Sequence, residues 1–137
     1  MHYRMWWAGA LLLSACAQRY GAPVSARTAA SPEETFDCAR KQLETLGYKR
    51  TSYDTDEHRV NGTKVDSKSR RPDTQFRRIL NKLEVQVSPE ADGRTSLQVV
   101  GHTFAEYTTQ RGPTEVEETA SDQVKTDTQQ LLQRCSS

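Results

Sequence analysis

"RRILNKLEVQV" (residues 77–87), followed by "SPEADGR" and "TSLQVVGHTFAEYTT" (95–109), decides the fold. In the first run Ile79, Leu83, Val85 and Val87 recur at period two, which puts them on one face of a β-strand. The second run returns with Leu97 and Val99 on one face. Its alternation then shifts to Val100, His102 and Phe104, and Gly101 at the switch predicts a β-bulge. Pro, Asp and Gly between the runs are turn residues, so the two strands read as an antiparallel hairpin.

Two shorter strands precede this hairpin. "YKRTSY" (48–53) and "RVNGTKV" (59–65) flank the turn-prone "DTDEH". A turn at Asn61-Gly62, a strong hairpin dipeptide, would leave a very short return strand, so the turn is placed at 54–58. Before them, "SPEETFDCARKQLETLGY" (31–48) is the clearest helix. Ser31 caps it, Pro32 suits its first position, and Glu34 completes a Ser-x-x-Glu capping box. Phe36, Ala39, Leu43 and Leu46 form one narrow apolar stripe, and Gly47 supplies the stop. A second helix is expected in "TASDQVKTDTQQLLQRC" (119–135), where Ala120, Val124, Leu131 and Cys135 share a face with Leu132 beside it. Glu115, Glu117, Glu118 and Asp122 precede or open it and Arg134 closes it, as the helix dipole favours. The expected fold is therefore α+β: helix, four-stranded antiparallel sheet, helix, with both helices packed on one sheet face.

The core of this domain is thin. Between Ser31 and Cys135, Leu, Ile, Val and Phe make up 19 of 105 residues, a fraction low enough to raise the question of disorder. Their periodicity and the small net charge argue for a folded but marginal domain.

At the other end of the chain, "MWWAGALLLSAC" (5–16) is an apolar run closed by a cysteine. It falls short of the roughly 20 apolar residues that span a bilayer, and it suits the h-region of a secretory signal with Arg4 before it. Leu13-Ser14-Ala15-Cys16 resembles the lipobox of bacterial lipoproteins. The resemblance implies a signal peptide over 1–15, a diacylglyceryl group on the Cys16 sulfur, and an acylated amine after cleavage. Two or three such chains hold a protein to a membrane nearly permanently, whereas one does so only marginally. Ala17, where Asp retains some lipoproteins in the inner membrane, implies the outer membrane facing the periplasm. Residues 16–30 then read as the lipidated cysteine and a flexible tether, which lets the 31–137 domain sit roughly 20 Å from the bilayer.

Lipidation also resolves the cysteine count. Of three cysteines, Cys38 and Cys135 remain, and in an oxidising envelope they are expected to pair. The alternative, a metal or redox role, has no CxxC and no local Cys/His cluster behind it.

Charge and motifs constrain function further. The full chain carries 19 Lys+Arg against 18 Asp+Glu, and with Arg4 in the signal the exported chain is neutral, which excludes a global electrostatic case for nucleic acid. There is no GxSxG, HExxH, P-loop or dinucleotide fingerprint, and no cofactor or metal is expected. His58 sits in a polar turn and His102 on a strand. The Asp54, Asp56, Glu57 cluster lacks the ligand rhythm of a calcium loop. One segment is unbalanced: "KSRRPDTQFRR" (68–78) holds Lys68, Arg70, Arg71, Arg77 and Arg78 against Asp73 alone. These five residues are the candidate site, either for an envelope protein or for an anionic lipid or glycan. The sequence thus predicts a lipid-anchored, non-enzymatic envelope protein with a small interaction or scaffolding domain.

Overall fold

The computed structural model describes residues 20–136. The signal reading, the lipobox and Cys16 lie outside them. Six strands and two helices follow one another as β1 (Ala22–Thr28), α1 (Pro32–Thr45), β2 (Lys49–Asp54), β3 (Arg59–Asp66), β4 (Phe76–Pro89), β5 (Thr95–Thr109), β6 (Gly112–Glu118) and α2 (Asp122–Ser136). The expectation of a four-stranded sheet between two helices is corrected: the sheet has six antiparallel strands in the order β1-β5-β4-β3-β2, with β6 also on β5.

The two additional strands share one edge. β1 pairs with the first half of β5, from Ala22 opposite Gly101 to Thr28 opposite Thr95. β6 pairs with the second half, from Thr103 opposite Glu118 to Thr109 opposite Gly112. Half of the expected tether, Ala22–Thr28, is therefore an edge strand, and the expected acidic approach to α2 is another. Each carries one large apolar residue, Val24 and Val116, so neither shows an apolar rhythm of its own. Their order comes from β5, which at 15 residues is long enough to template both.

Local signals explain the first helix. The Ser31 hydroxyl accepts from the Glu34 amide at 3.2 Å. Gly47, at φ +91°, lets the Tyr48 amide reach the Leu43 carbonyl and its own amide reach Glu44, both at 3.0 Å, which satisfies the last free carbonyls. A side chain at φ +91° would be strained, which is why the chain turns here.

One sheet face carries the core. Leu83, Val85 and Val87 of β4, Leu97 and Val99 of β5 and Val60 of β3 meet Phe36, Ala39 and Leu43 of α1 and Val124, Leu131 and Leu132 of α2. Both helices lie on this face. Gly101 corrects a second expectation: β5 keeps continuous register through it, with Leu83 on one side and Ala22 on the other. No bulge is present there. A Cβ on Gly101 would lie 3.1 Å from both Thr128 Oγ1 and Val124 Cγ2, so the glycine lets α2 approach the sheet closely. The register shift in this hairpin lies instead between Phe76 and Arg78.

Buried polar groups fix the second helix. Ser121 accepts from the Val124 amide at 3.2 Å and donates to Asn81 Oδ1 at 3.0 Å, while the Thr103 hydroxyl donates to the same oxygen at 2.9 Å. One turn on, the buried Asp127 accepts from the Tyr48 hydroxyl at 2.8 Å and from Gln123 at 2.9 Å, with the Lys64 ammonium at 3.6 Å. Burial first, then the Asp127 hydrogen bond and charge, push the Tyr48 hydroxyl far above its ordinary range, so it stays a donor. Finally, Cys38 and Cys135 form a disulfide across a sequence separation of 97, with Cα atoms 5.7 Å apart, tying α1 to the end of α2. Closing a loop of that length contributes up to about 4–5 kcal/mol by chain entropy.

Candidate anion-binding cleft

The basic segment forms the loop between β3 and β4 and the start of β4. Asp66 shapes it. Its carboxylate accepts from the Lys68 amide at 2.9 Å and from the Ser69 hydroxyl at 2.8 Å, and these bonds, the Lys68 amide foremost, hold its pKa below the usual carboxylate range. A second Asx-type turn follows, in which Asp73 accepts from the Gln75 amide at 2.8 Å. The result is a shallow cleft of about 450 Å³ lined by Arg70, Arg71, Arg77 and Arg78, with Val65 and Phe76 among its apolar walls. Four of the five candidate residues therefore come together. Lys68 does not line this cleft; it lines an adjoining polar hollow with Lys64, Asn81 and Gln123.

The five cations differ in how much of their charge is already engaged. Arg71 grips Glu118 of β6 through both terminal nitrogens, donates to the Tyr107 hydroxyl at 3.0 Å, and covers the Phe76 ring at 5.2 Å. The Arg71 hydrogen bond holds Glu118 below its ordinary pKa, and the Glu118 hydrogen bond raises that of Arg71. Arg78 donates to the buried Glu106 at 3.0 Å, and Arg77 lies 3.7 Å from the same oxygen. Arg70 donates to the carbonyls of Ser67 at 2.6 Å and Ser69 at 3.0 Å, which leaves its charge unneutralised. Among the described residues neither Arg70 nor Lys68 has a carboxylate within salt-bridge distance. Arg71 and Arg78 are thus pins that hold the loop to the sheet. Arg77 shares the single Glu106 carboxylate with Arg78, so Lys68, Arg70 and the one unmatched charge of that pair can act on a ligand.

Sequence reasoning missed the two carboxylates that decide this partition. Glu118 reads as a helix-dipole partner and Glu106 as one polar residue of a strand, yet the antiparallel register of β4, β5 and β6 brings them to arginines 28 to 47 positions away. Strand pairing, not local pattern, supplies that information.

The histidines have packing partners. His58 lies against the Phe36 ring at 5.2 Å. His102, on the sheet face away from the helices, sits 2.6 Å from Glu117 and 3.6 Å from Glu84. Beside it Lys82 pairs with Glu115 at 2.6 Å and stands 4.4 Å over the Phe104 ring. Among the described residues no group of three His, Cys, Asp or Glu side chains is arranged to hold a metal ion, and no helix is long and apolar enough to cross a membrane. Comparison of the sequence with protein-family models and with curated proteins finds no match.

Proposed function

We propose that this chain is a lipid-anchored protein of the bacterial cell envelope, held by Cys16 in the outer membrane on its periplasmic side, and that its domain is a non-catalytic interaction module. The anchor rests on Arg4, the apolar run and the lipobox. The interaction reading is carried by one observation: four arginines surround a cleft with Val65 and Phe76 in its walls. Two of those arginines are pinned by Glu106 and Glu118, so this part of the cleft is shaped before binding. Guanidinium groups bordering an apolar wall suit a carboxylate-bearing protein segment, which uses both bidentate charge and apolar contact.

The test is crosslinking in cells with the captured material identified by mass, comparing wild type with a Lys68→Ser, Arg70→Ser, Arg77→Ser variant. That variant leaves the Arg71 and Arg78 pins intact. One protein captured reproducibly and lost in the variant supports the reading. The same protein captured equally by both removes the cleft from it.

A second reading, a binder of lipid or glycan, is favoured by a separate hollow of about 340 Å³ on the open sheet face. There Asn61, Gln86 and Gln98 lie beside Arg59 and the apolar Val100. Amides with an apolar patch suit sugar hydroxyls and ring faces. Because Glu84 also lines the hollow and Glu57 pairs with Arg59 at 3.2 Å, it suits a neutral sugar better than an acidic one. Capture of lipid or glycan alone would favour this reading over the first.

A further inference from the structure

We infer that the edge of the domain where β1 begins rests against the leaflet that holds the Cys16 lipid, with Tyr20 and Lys125 at headgroup level and the apolar cleft between β1 and α2 turned towards the hydrocarbon. This rests on the lipid-anchor reading above. Its first support is length. Ala22 already pairs with Gly101, and β1 is held to β5 along seven consecutive pairings. Between Cys16 and Tyr20 lie only residues 17–19. Even fully extended, that stretch reaches about 14 Å, so the domain cannot stand off the membrane as a long tether would allow.

The second support is what this edge presents. A mostly apolar cleft of about 410 Å³ opens between Tyr20 and Val24 on one side and Ala120 and Val124 on the other, within the size range of lipid and ligand sites. Tyr20 is 42% exposed at its mouth, and Lys125 lies on its helical wall. An exposed aromatic and a lysine flanking apolar surface are the groups that settle at a membrane–water interface, ring at the headgroups and ammonium in water. Asp122 stands one helical turn from Lys125 and offsets its charge, while Arg19, in the short linker next to Tyr20, adds one positive charge. The apolar lining of the cleft is the larger part of the contact, which therefore forms on a zwitterionic surface without an anionic lipid.

The third support is that the opposite edge provides an internal contrast. β2 lies four strand positions away from β1, about 19 Å across the sheet. It carries Tyr53, 40% exposed and so matched to Tyr20 in accessibility.

The chain's two tryptophans, Trp6 and Trp7, both lie in the signal, so the mature protein has none. A single Tyr20→Trp or Tyr53→Trp substitution in the full-length chain, produced with its lipid, is then the only tryptophan reporter. Each protein is placed in vesicles of zwitterionic phospholipid with or without brominated acyl chains. The expected result is that bromine quenches the fluorescence of the Tyr20→Trp protein by about twofold or more, unchanged in high salt, and that of the Tyr53→Trp protein little. Equal, weak quenching of both in a protein whose mass shows an acylated Cys16 overturns the inference and leaves the anchor standing. A mass that shows Cys16 unmodified, or Trp6 and Trp7 retained, overturns the anchor reading and this inference with it.

Discussion

Along β4, Leu83, Val85 and Val87 turn to the helices and are at most 2% exposed, while the intervening Lys82, Glu84 and Gln86 turn to the other face. β5 repeats the contrast with Leu97 and Val99 against Gln98 and Val100. The covered face is held by apolar contact under α1 and α2. The open face is held by pairs such as Lys82 with Glu115 and His102 with Glu117, whose energies water screens. Adjacent residues of one strand thus contribute by different physics, and a single position of register separates them.

The largest test of this contrast is a pair of neighbours. Leu83→Ala removes a fully buried side chain and is expected to cost about 2–5 kcal/mol in chemical denaturation. Lys82→Ala, one residue away, is expected to cost less than about 1 kcal/mol. Similar losses from both would mean that the open face carries stability on the scale of the core.

Next in size is the disulfide, which ties the two helices together above the covered face. Replacing Cys38 and Cys135 with Ser is expected to cost about 2–5 kcal/mol, read from the shift in denaturation midpoint. A midpoint unchanged under reducing conditions would show that the thin core suffices without it.

What the sequence made legible follows the same division. α1 is readable because its cap, stripe and stop are local. The central hairpin is readable because Ile79, Leu83, Val85 and Val87 alternate at period two. The second half of β5 misleads for a physical reason. Two of its inward positions, Gly101 and Thr103, are not apolar, because one admits α2 and the other bonds Asn81. Its outward positions, Val100 and Phe104, are apolar without being core. The rhythm therefore looks inverted where the backbone is regular. β1 and β6 are unreadable because an edge strand with one face thinly covered needs few apolar residues. The candidate cleft is half legible: the arginines are close in sequence, whereas Glu106 and Glu118, which decide their free charge, arrive by pairing.

Gly101 gives a test of intermediate size. Gly101→Val adds a branched side chain where Thr128 and Val124 already lie 3.1 Å from the first added carbon. Overpacking of this kind is expected to cost about 1–3 kcal/mol by thermal or chemical denaturation. Val100→Ala, on the open face beside it, is expected to change stability by less than the Gly101 variant. A Gly101→Val protein as stable as wild type would mean that α2 shifts to admit the side chain and that its close approach does not depend on this glycine.

The smallest expected effect lies where the basic loop meets β6, and it is visible only as a pH dependence. Arg71 hydrogen-bonds Glu118 and lowers its pKa from the ordinary value of 4.5. A carboxylate whose folded pKa is depressed binds its proton more readily in the unfolded chain. Its stabilising contribution is therefore fully present above about pH 4.5 and is lost as pH falls through the lower folded value. Because Glu118 keeps 29% of its side-chain surface exposed, water screens the pair and the contribution is less than about 1 kcal/mol. Glu118→Gln keeps the shape and one acceptor while removing the proton linkage. The variant is expected to match wild type closely at about pH 3 and to be slightly less stable at about pH 7, in equilibrium denaturation at both values. A difference that is the same at both pH values would mean that Glu118 acts through packing and neutral hydrogen bonding. The Arg71 pin would then belong with the covered face, held by contact, rather than with the charged open one.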